Sequence, residues 1–292
     1  KEHVQPKDTT PFYKNKFLFT YMLFEGVILG LYAIFTAYAP NTISQYDHKT
    51  FTDIHVMTIL GFGFMFSFIR KYGYSSTGYS LLLASISMQW YPLLRQFWSN
   101  VFNGETTHII LDYKTFIYAD YSVVALLVTF GALLGKTSSY QLFVIAIIEP
   151  FMYALNERIG IYYGITDVGG TMLIHTFGAF FGLAMSAVMT PKEAFETIDN
   201  EPIYQSDIMS MIGTLFLWIY WPTFNMAVAK DVEQHISFIS TLLSLTASVI
   251  AAFVASNFLR GQNKFDMRDI QNASISGGIA VGVCANMAIN PG

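Results

Sequence analysis

The sequence predicts an all-α protein, a polytopic bundle of transmembrane helices. Of its 292 residues, 53% are hydrophobic and only 12% are charged, about half the charged share of a typical soluble domain. Because so few charges cannot cover the surface of such a chain in water, the composition argues against a soluble enzyme and against a disordered protein. The net charge is −4, from 16 basic and 20 acidic residues, and the lack of clustered Lys and Arg argues against nucleic-acid binding.

Nine apolar stretches have roughly the 18 or more residues that are needed to cross about 30 Å of hydrocarbon. In chain order they are 17–39, 52–70, 79–98, 118–135, 139–156, 168–189, 207–229, 235–259 and 271–290. The fifth and the ninth have the weakest apolar patterns, since the fifth contains Glu149 and Pro150 and the ninth contains three Asn residues. The loops between them are short, so we expect a single transmembrane domain over 1–292.

The basic residues divide unevenly between alternate loops. Eleven of them fall on the side of the N-terminus and five on the opposite side. The five are Lys49, Arg95, Lys114, Arg158 and Lys230. Because cytoplasmic loops of membrane proteins carry the excess of Lys and Arg, we expect a cytoplasmic N-terminus.

Glycines recur at four-residue spacing within the apolar stretches. The pairs are Gly26 and Gly30, Gly131 and Gly135, Gly178 and Gly182, and Gly278 and Gly282. Each pair places two glycines on one helix face and lets a neighbouring helix approach closely. This spacing fits ordinary tight packing in a bundle, and it also fits helices that surround a narrow pore.

His175 is the clearest ionisable residue at membrane depth. It follows Asp167 by eight residues, about 12 Å at the rise of an α-helix, which places it near the membrane midplane. Such residues usually face the protein interior or a water-filled path. A neutral imidazole there can exchange a hydrogen bond with a small polar solute. Asp167 precedes the helix, where a carboxylate can cap the first backbone N–H groups.

Three further ionisable positions allow structural explanations. Glu149 before Pro150 indicates a kink or a contact with a partner helix. Glu157 and Arg158 fall at a helix end, as expected of an interfacial pair, and His55 is expected to be structural. The single cysteine, Cys284, excludes an internal disulfide framework. No motif for a nucleotide, a metal or a hydrolytic nucleophile occurs, so we expect neither a cofactor nor a metal.

Long strings of residues resemble a known family, in order from about residue 50 to the end. They are 53–57 (DIHVM), 61–64 (GFGF), 70–73 (RKYG), 170–179 (GTMLIHTFGA), 204–207 (YQSD), 212–218 (IGTLFLW), 220–225 (YWPTFN), 269–273 (DIQNA) and the pair 277–278 (GG). In these strings the chain resembles the Rhesus-glycoprotein branch of the ammonium transporter family.

The resemblance implies a homotrimer in which each subunit has its own narrow apolar pore that conducts ammonia. Matched by motif, Asp167 is the acid near the outer vestibule and His175 the first of two pore histidines. Phe224 is one of two stacked gate aromatics, and Tyr121, which follows Asp120, stands where the family usually has the other, a Phe. The resemblance also places Asp120 at the outer vestibule and makes Asn225 a neighbouring pore candidate.

The chain departs from the family at its C-terminal side. The helices that follow the DIQNA helix in the family, one of which bears the second pore histidine, are expected to be missing from this sequence. The sequence therefore supports two hypotheses, an ammonia channel of the Rhesus type in the plasma membrane or a truncated, non-conducting structural subunit that packs against other membrane proteins. A membrane enzyme that uses Asp167 and His175 is disfavoured, because the two residues are too far apart for direct acid–base cooperation.

Overall fold

The computed structural model describes residues 16–40, 45–104, 107–190, 201–260 and 264–287, and these are predominantly helical. Helix α1 is Lys16–Phe35. The segment α2 runs from the α-helix Gln45–Val56 through the π-helical turn Met57–Phe62 and the short turns Gly63–Met65 and Phe66–Phe68. The segment α6 is the π-helical turn Thr171–Thr176 continued by Phe177–Met189. The other helices are α3 (Gly73–Asn103), α4 (Tyr113–Leu133), α5 (Ser139–Tyr162), α7 (Tyr204–Met226), α8 (Val232–Arg260), α9 (Met267–Ala273) and α10 (Ser276–Gly282).

The predicted spans correspond to this helix order. Each of the first eight apolar stretches falls on one of α1 to α8. Five of these segments, α1, α2, α4, α6 and α8, are long and apolar enough to cross a membrane by length and composition. The other three, α3, α5 and α7, have 31, 24 and 23 residues and bury Ser, Thr, Asn or Glu side chains against their neighbours. The all-α fold class is confirmed.

The ninth stretch differs from a single span. Within the described residues, 271–290 contains the end of α9 and the seven-residue helix α10, separated at Ser274 and Ile275. Residues 288–290 lie outside the described ranges. The break begins at Ser274, and serine has a lower helix propensity than alanine or leucine.

Helix α4 lies at the centre of the bundle. Its segment 123–127 is completely shielded, and it packs with Phe62 of α2, Tyr91 of α3, Phe143 of α5 and Trp221 of α7 in one core. A helix that is apolar all round lies either in a protein core or in a membrane, and here other helices cover this segment. The residues just before this segment, Asp120 and Tyr121, are therefore fixed by packing on all sides.

Glycines bring α6 against α4. A Cβ atom on Gly178 would lie 2.5 Å from the carbonyl oxygen of Ala125, and one on Gly182 would lie 2.9 Å from the Cα atom of Thr129. Only a missing side chain allows this approach of two backbones. In contrast, Cβ atoms on Gly26 and Gly30 of α1 would meet nothing within 4 Å, so this pair makes no close helix contact in the subunit.

A small parallel strand pair departs from a purely helical bundle. Strand β1 (Thr36–Tyr38), directly after α1, pairs with β2 (Ile109–Leu111), which precedes α4. Elsewhere α1 contacts the bundle mainly through rings, since Phe24 packs edge-on against Trp90 at 5.8 Å and against Phe143 at 5.6 Å.

Glu149 bridges three helices from the middle of α5, which continues through Pro150. Its side chain is fully buried, and Oε1 lies 2.6 Å from Thr129 Oγ1 on α4, which lies 2.9 Å from the carbonyl oxygen of Gly178 on α6. A hydroxyl has one proton and cannot donate to both oxygens. A protonated Glu149 that donates to Thr129, which then donates to Gly178, satisfies the arrangement without a charge in the apolar interior.

A neutral Glu149 makes glutamine an adequate replacement. We expect Glu149→Gln to change the free energy of unfolding by less than about 1 kcal/mol, because the amide N–H donates the same bond, whereas Glu149→Ala costs about 1–3 kcal/mol. Thermal unfolding in detergent measures both variants. A Gln variant as unstable as the Ala variant would show that the carboxyl group is ionised.

Candidate functional site

The first turn of α6 is positioned by the loop that precedes it. Asp167 Oδ2 accepts hydrogen bonds from the backbone N–H groups of Met172 and Leu173, at 2.8 and 2.7 Å. Gly170 has φ = 70°, a left-handed conformation that side chains rarely adopt, and its carbonyl accepts bonds from both Ile174 and His175. Burial raises the pKa of the Asp167 carboxyl, and the two backbone bonds oppose that rise.

His175 lies on this wide π-helical turn, and its ring is buried. Within the described ranges neither Nδ1 nor Nε2 has a hydrogen-bond partner. The imidazole stacks on Trp221 of α7, with ring centroids 5.4 Å apart and planes at 27°. A buried imidazole keeps two hydrogen-bonding atoms available only where something else can occupy them, since unpaired polar atoms in an interior are costly.

Phe224 lies beside His175 and also contacts Tyr121, so the three rings form a chain of contacts. The ring centroids of Phe224 and Tyr121 are 4.7 Å apart in an edge-to-face arrangement, and Phe224 lies 5.9 Å from His175. The hydroxyl of Tyr121 donates to the backbone carbonyl of Phe224 at 3.0 Å. This bond connects α4 to α7 and is one that phenylalanine at position 121 could not make.

A cavity of about 650 Å³ is bordered by Tyr121 and by the start of α6, including Gly170 and Ile174. Its lining includes Glu157, Asp167 and Glu233, one basic residue, Lys230, and the ring of Tyr118. We call this space the acidic cavity. The order of contacts runs from the acidic cavity to Tyr121, then to Phe224, then to His175.

Asp120, which the sequence predicts at the outer vestibule, lies on α4 next to Tyr121. It is completely buried and is not among the residues that line the acidic cavity. Its carboxylate is bonded to Nδ1 of His55 on α2, at 3.1 Å and 3.3 Å from its two oxygens. Asp120 is thus a buried acid that is paired with His55, as a carboxylate inside the bundle requires, and its place at the outer vestibule stays a prediction.

Asn225 is also a packing residue in this structure and does not line the acidic cavity. Its amide Nδ2 donates to Thr241 Oγ1 on α8 at 3.0 Å and to the carbonyl of Gly278 on α10 at 2.9 Å. It thereby connects α7 to both helices, beside the loop residue Gly169. The structure brings together Asp167, His175, Tyr121 and Phe224 at one site. Asn225 follows Phe224 on α7, and Asp120 precedes Tyr121 on α4.

Sequence reasoning missed the partner of Glu157. The carboxylate Oε2 accepts from Tyr91 Oη at 2.5 Å and from Arg95 Nε at 3.2 Å, both on α3. Arg158, the predicted partner, instead donates to Asn103. Arg95 lies within α3 rather than in a loop, and its position inside the apolar stretch 79–98 was the signal that could have identified it.

Apolar helices that enclose a few polar groups behind a narrow aromatic contact are the architecture of membrane transport proteins. The chain belongs to the Ammonium Transporter Family, whose model matches residues 17–292. It is therefore an integral membrane protein of a transporter family and not an enzyme.

The relatives include two mammalian Rh proteins. Ammonium transporter Rh type A of Bos taurus is 38% identical over 287 residues, which are 91% of this chain and 66% of that protein. Ammonium transporter Rh type B of Mus musculus is 38% identical over 288 residues, 92% of this chain and 63% of that protein. The chain thus spans slightly less than two thirds of the length of these relatives.

Two solved structures are similar as well. Nitrosomonas europaea Rh50, described as one of the Rhesus family of channels, is 30% identical with a TM-score of 0.76, over 84% of this chain and 64% of that chain. Saccharomyces cerevisiae Mep2 has a TM-score of 0.67 at 14% identity, over 82% of this chain and 62% of that chain, a similarity of fold alone.

A substitution at Gly278 tests the packing of Trp221 against His175. A Cβ atom there would lie 2.7–2.8 Å from three atoms of the Trp221 indole ring, which stacks on His175. We expect Gly278→Ala to displace the indole and to lower stability by about 1–3 kcal/mol, the usual cost of overpacking. Thermal unfolding and tryptophan fluorescence measure both effects.

Gly26→Ala is the matched control, since an added Cβ atom there meets nothing within 4 Å. We expect this variant to unfold at or slightly above the wild-type temperature, because alanine favours the helix. Equal unfolding temperatures for the two variants would contradict the packing described around Trp221.

Proposed function

We propose that the chain is a subunit of an ammonia channel and contains the outer vestibule and the first pore histidine of the pathway. The observation that supports this most directly is His175, a buried imidazole whose two nitrogens both lack protein partners within the described ranges. The acidic cavity serves as the vestibule, and Tyr121 and Phe224 serve as the aromatic gate. The family to which the chain belongs and the printed names of its relatives support ammonium as the substrate.

Desolvation decides which species passes. An ammonium ion loses its hydration shell on entering an apolar passage, at a cost that fixed dipoles there do not offset. Neutral ammonia costs far less to desolvate, and the imidazole of His175 exchanges a hydrogen bond with it. The cation therefore gives its proton to water on the vestibule side of the gate, and ammonia alone moves past Phe224 to His175.

The vestibule favours cations on its outer side. Carboxylates of Asp167 and Glu233 line it, and negative side chains at the mouth of a pore raise the local concentration of cations. Asp167 also fixes the turn that bears His175 through its backbone bonds. The same residue thus contributes to the charge of the vestibule and to the geometry of the pore.

The assembly and location follow from the family resemblance. We propose a homotrimer in the plasma membrane with the N-terminus in the cytoplasm. Large apolar side chains that face away from the bundle, among them Phe180 and Leu183 of α6 and Phe258 of α8, fit contact with lipid or with a neighbouring subunit.

Stopped-flow measurement of ammonia entry into proteoliposomes tests the proposal. We expect the wild-type protein to accelerate the internal pH rise over empty liposomes. His175→Phe keeps an aromatic ring and removes both nitrogens, so we expect it to reduce permeability about tenfold, the factor for one lost hydrogen bond. His235→Phe, an exposed position on α8, is the matched control and should leave permeability unchanged.

Two outcomes separate the channel from the structural-subunit hypothesis. The intact mass of the protein isolated from its native membrane is measured first and compared with the mass of the 292-residue sequence. The polypeptide of the measured mass is then the one reconstituted in the liposomes. If that polypeptide does not accelerate the internal pH rise over empty liposomes, the channel proposal is refuted and a non-conducting subunit is favoured. Acceleration that His175→Phe leaves unchanged would move the pathway away from His175.

A further inference from the structure

Arg95 places a half-buried positive charge against residues that line the acidic cavity. Its Nε lies 3.2 Å from Glu157 Oε2, and its guanidinium lies over the ring of Tyr118, 3.8 Å from the centroid. Both Glu157 and Tyr118 line the acidic cavity. Arg95 therefore contacts two walls of the cavity, although it is not itself among the lining residues.

Arg95 is a charged residue within a predicted transmembrane stretch, and its contacts offset the free-energy cost of that position. An arginine within a transmembrane helix is expensive and is retained where it is paired. Here the pair is completed by Tyr91, whose hydroxyl donates to the same carboxylate oxygen at 2.5 Å. The Nε–H group and the planar face of the guanidinium are both used, a combination that lysine reproduces only in charge.

The pair changes the charge that a cation in the cavity meets. Among the residues that line the cavity, Glu157, Asp167 and Glu233 are acidic and Lys230 is basic. Arg95 compensates Glu157 at contact distance, so Asp167 and Glu233 remain as the acids that face a cation, with Lys230 opposing them. The cavity is less attractive to cations than its acidic residues alone indicate.

The ring contacts extend this influence towards the gate. Tyr118 lies 6.0 Å from Tyr121, edge to face, and Tyr121 contacts Phe224. Arg95 thus supports the ring that packs on the gate from the cavity side, while its charge acts on the carboxylate next to it. The two effects are separable, because one requires the charge and the other requires the planar side chain.

We propose that Arg95 is a specificity-determining residue that sets the cation affinity of the vestibule by neutralising Glu157. This inference rests on the proposed ammonia channel, since it assigns the affinity of that same vestibule. In consequence the wild-type protein takes up ammonium with low affinity. The gate and His175 determine the maximal flux, and Arg95 reaches the gate only indirectly, through the ring of Tyr118.

The concentration dependence of ammonium-driven flux in proteoliposomes tests the proposal. We expect Arg95→Gln to lower the half-saturating ammonium concentration by about three- to tenfold at low ionic strength, and by less at high salt, because a carboxylate near the cation loses its counter-charge. Maximal flux should stay within about twofold of the wild type by the same argument. Arg95→Lys should restore the wild-type half-saturation, since it retains the charge.

Arg158→Gln is the matched control. Arg158 is the next residue after Glu157 and donates to Asn103, with its guanidinium near the ring of Phe102, and it does not line the acidic cavity. We expect its removal to leave the half-saturation unchanged. An Arg95→Gln variant that behaves like Arg158→Gln, in a protein that conducts ammonia, would overturn the proposal.

A double variant covers the case in which Arg95→Gln alone destabilises the protein by leaving Glu157 buried without a cation. Arg95→Gln combined with Glu157→Gln removes both charges together, and we expect half-saturation close to the wild-type value. A double variant with the half-saturation shifted as far as in Arg95→Gln would contradict neutralisation of Glu157. Absence of flux in the wild-type protein would instead refute the channel itself, so the two failures are distinguishable.

Discussion

The candidate site depends on how the first turn of α6 is fixed to the rest of the bundle. Asp167 satisfies two backbone N–H groups of that turn, and Thr171 Oγ1 donates to the carbonyl of Ile279 and accepts from the N–H of Val283. The N–H of Gly169 donates to the carbonyl of Gly282. Together these bonds fasten the start of α6 to α10, and the position of His175 follows from them. Backbone N–H and C=O groups that lack a partner are costly away from water, so the bonds to α10 hold the turn in place.

Polar groups that are shielded from water need hydrogen-bond partners, and the ionisable groups inside the bundle meet this requirement in different ways. Asp120 is bonded to His55, Glu157 to Arg95 and Tyr91, and Glu149 to the hydroxyl of Thr129. Each pair joins two different helices, so the polar contacts also connect the bundle. His175 is the exception among these groups, because both its ring nitrogens lack a protein partner within the described ranges. That difference separates a side chain that maintains the structure from one that is available to a solute.

The sequence predicted the positions of the helices better than the partners of the polar residues. The length of an apolar stretch is a local property, and it placed α1 to α8 correctly. Asp167 and His175 were also recognisable, because a cap and a mid-span histidine are defined along one helix. The pairs of Asp120 with His55 and of Arg95 with Glu157 join residues 65 and 62 positions apart, and no local pattern specifies such a contact. For that reason the pairing expected of Glu157 with Arg158 was wrong, and the bond of Asp120 to His55 was not predicted.

Helix α1 differs from the other long helices in how it is attached. The strand pair β1–β2 fixes its C-terminal end by backbone hydrogen bonds, and the hydroxyl of Tyr32 donates to the carbonyl of Gln89. Most of the rest of the helix is exposed, with Ile28 as its one fully buried side chain among the residues described. Local unfolding begins where few apolar contacts are lost. Amide hydrogens near the start of α1 therefore exchange with solvent sooner than those of α4 where both are reachable by water, and this exchange proceeds without disturbing the turn that bears His175.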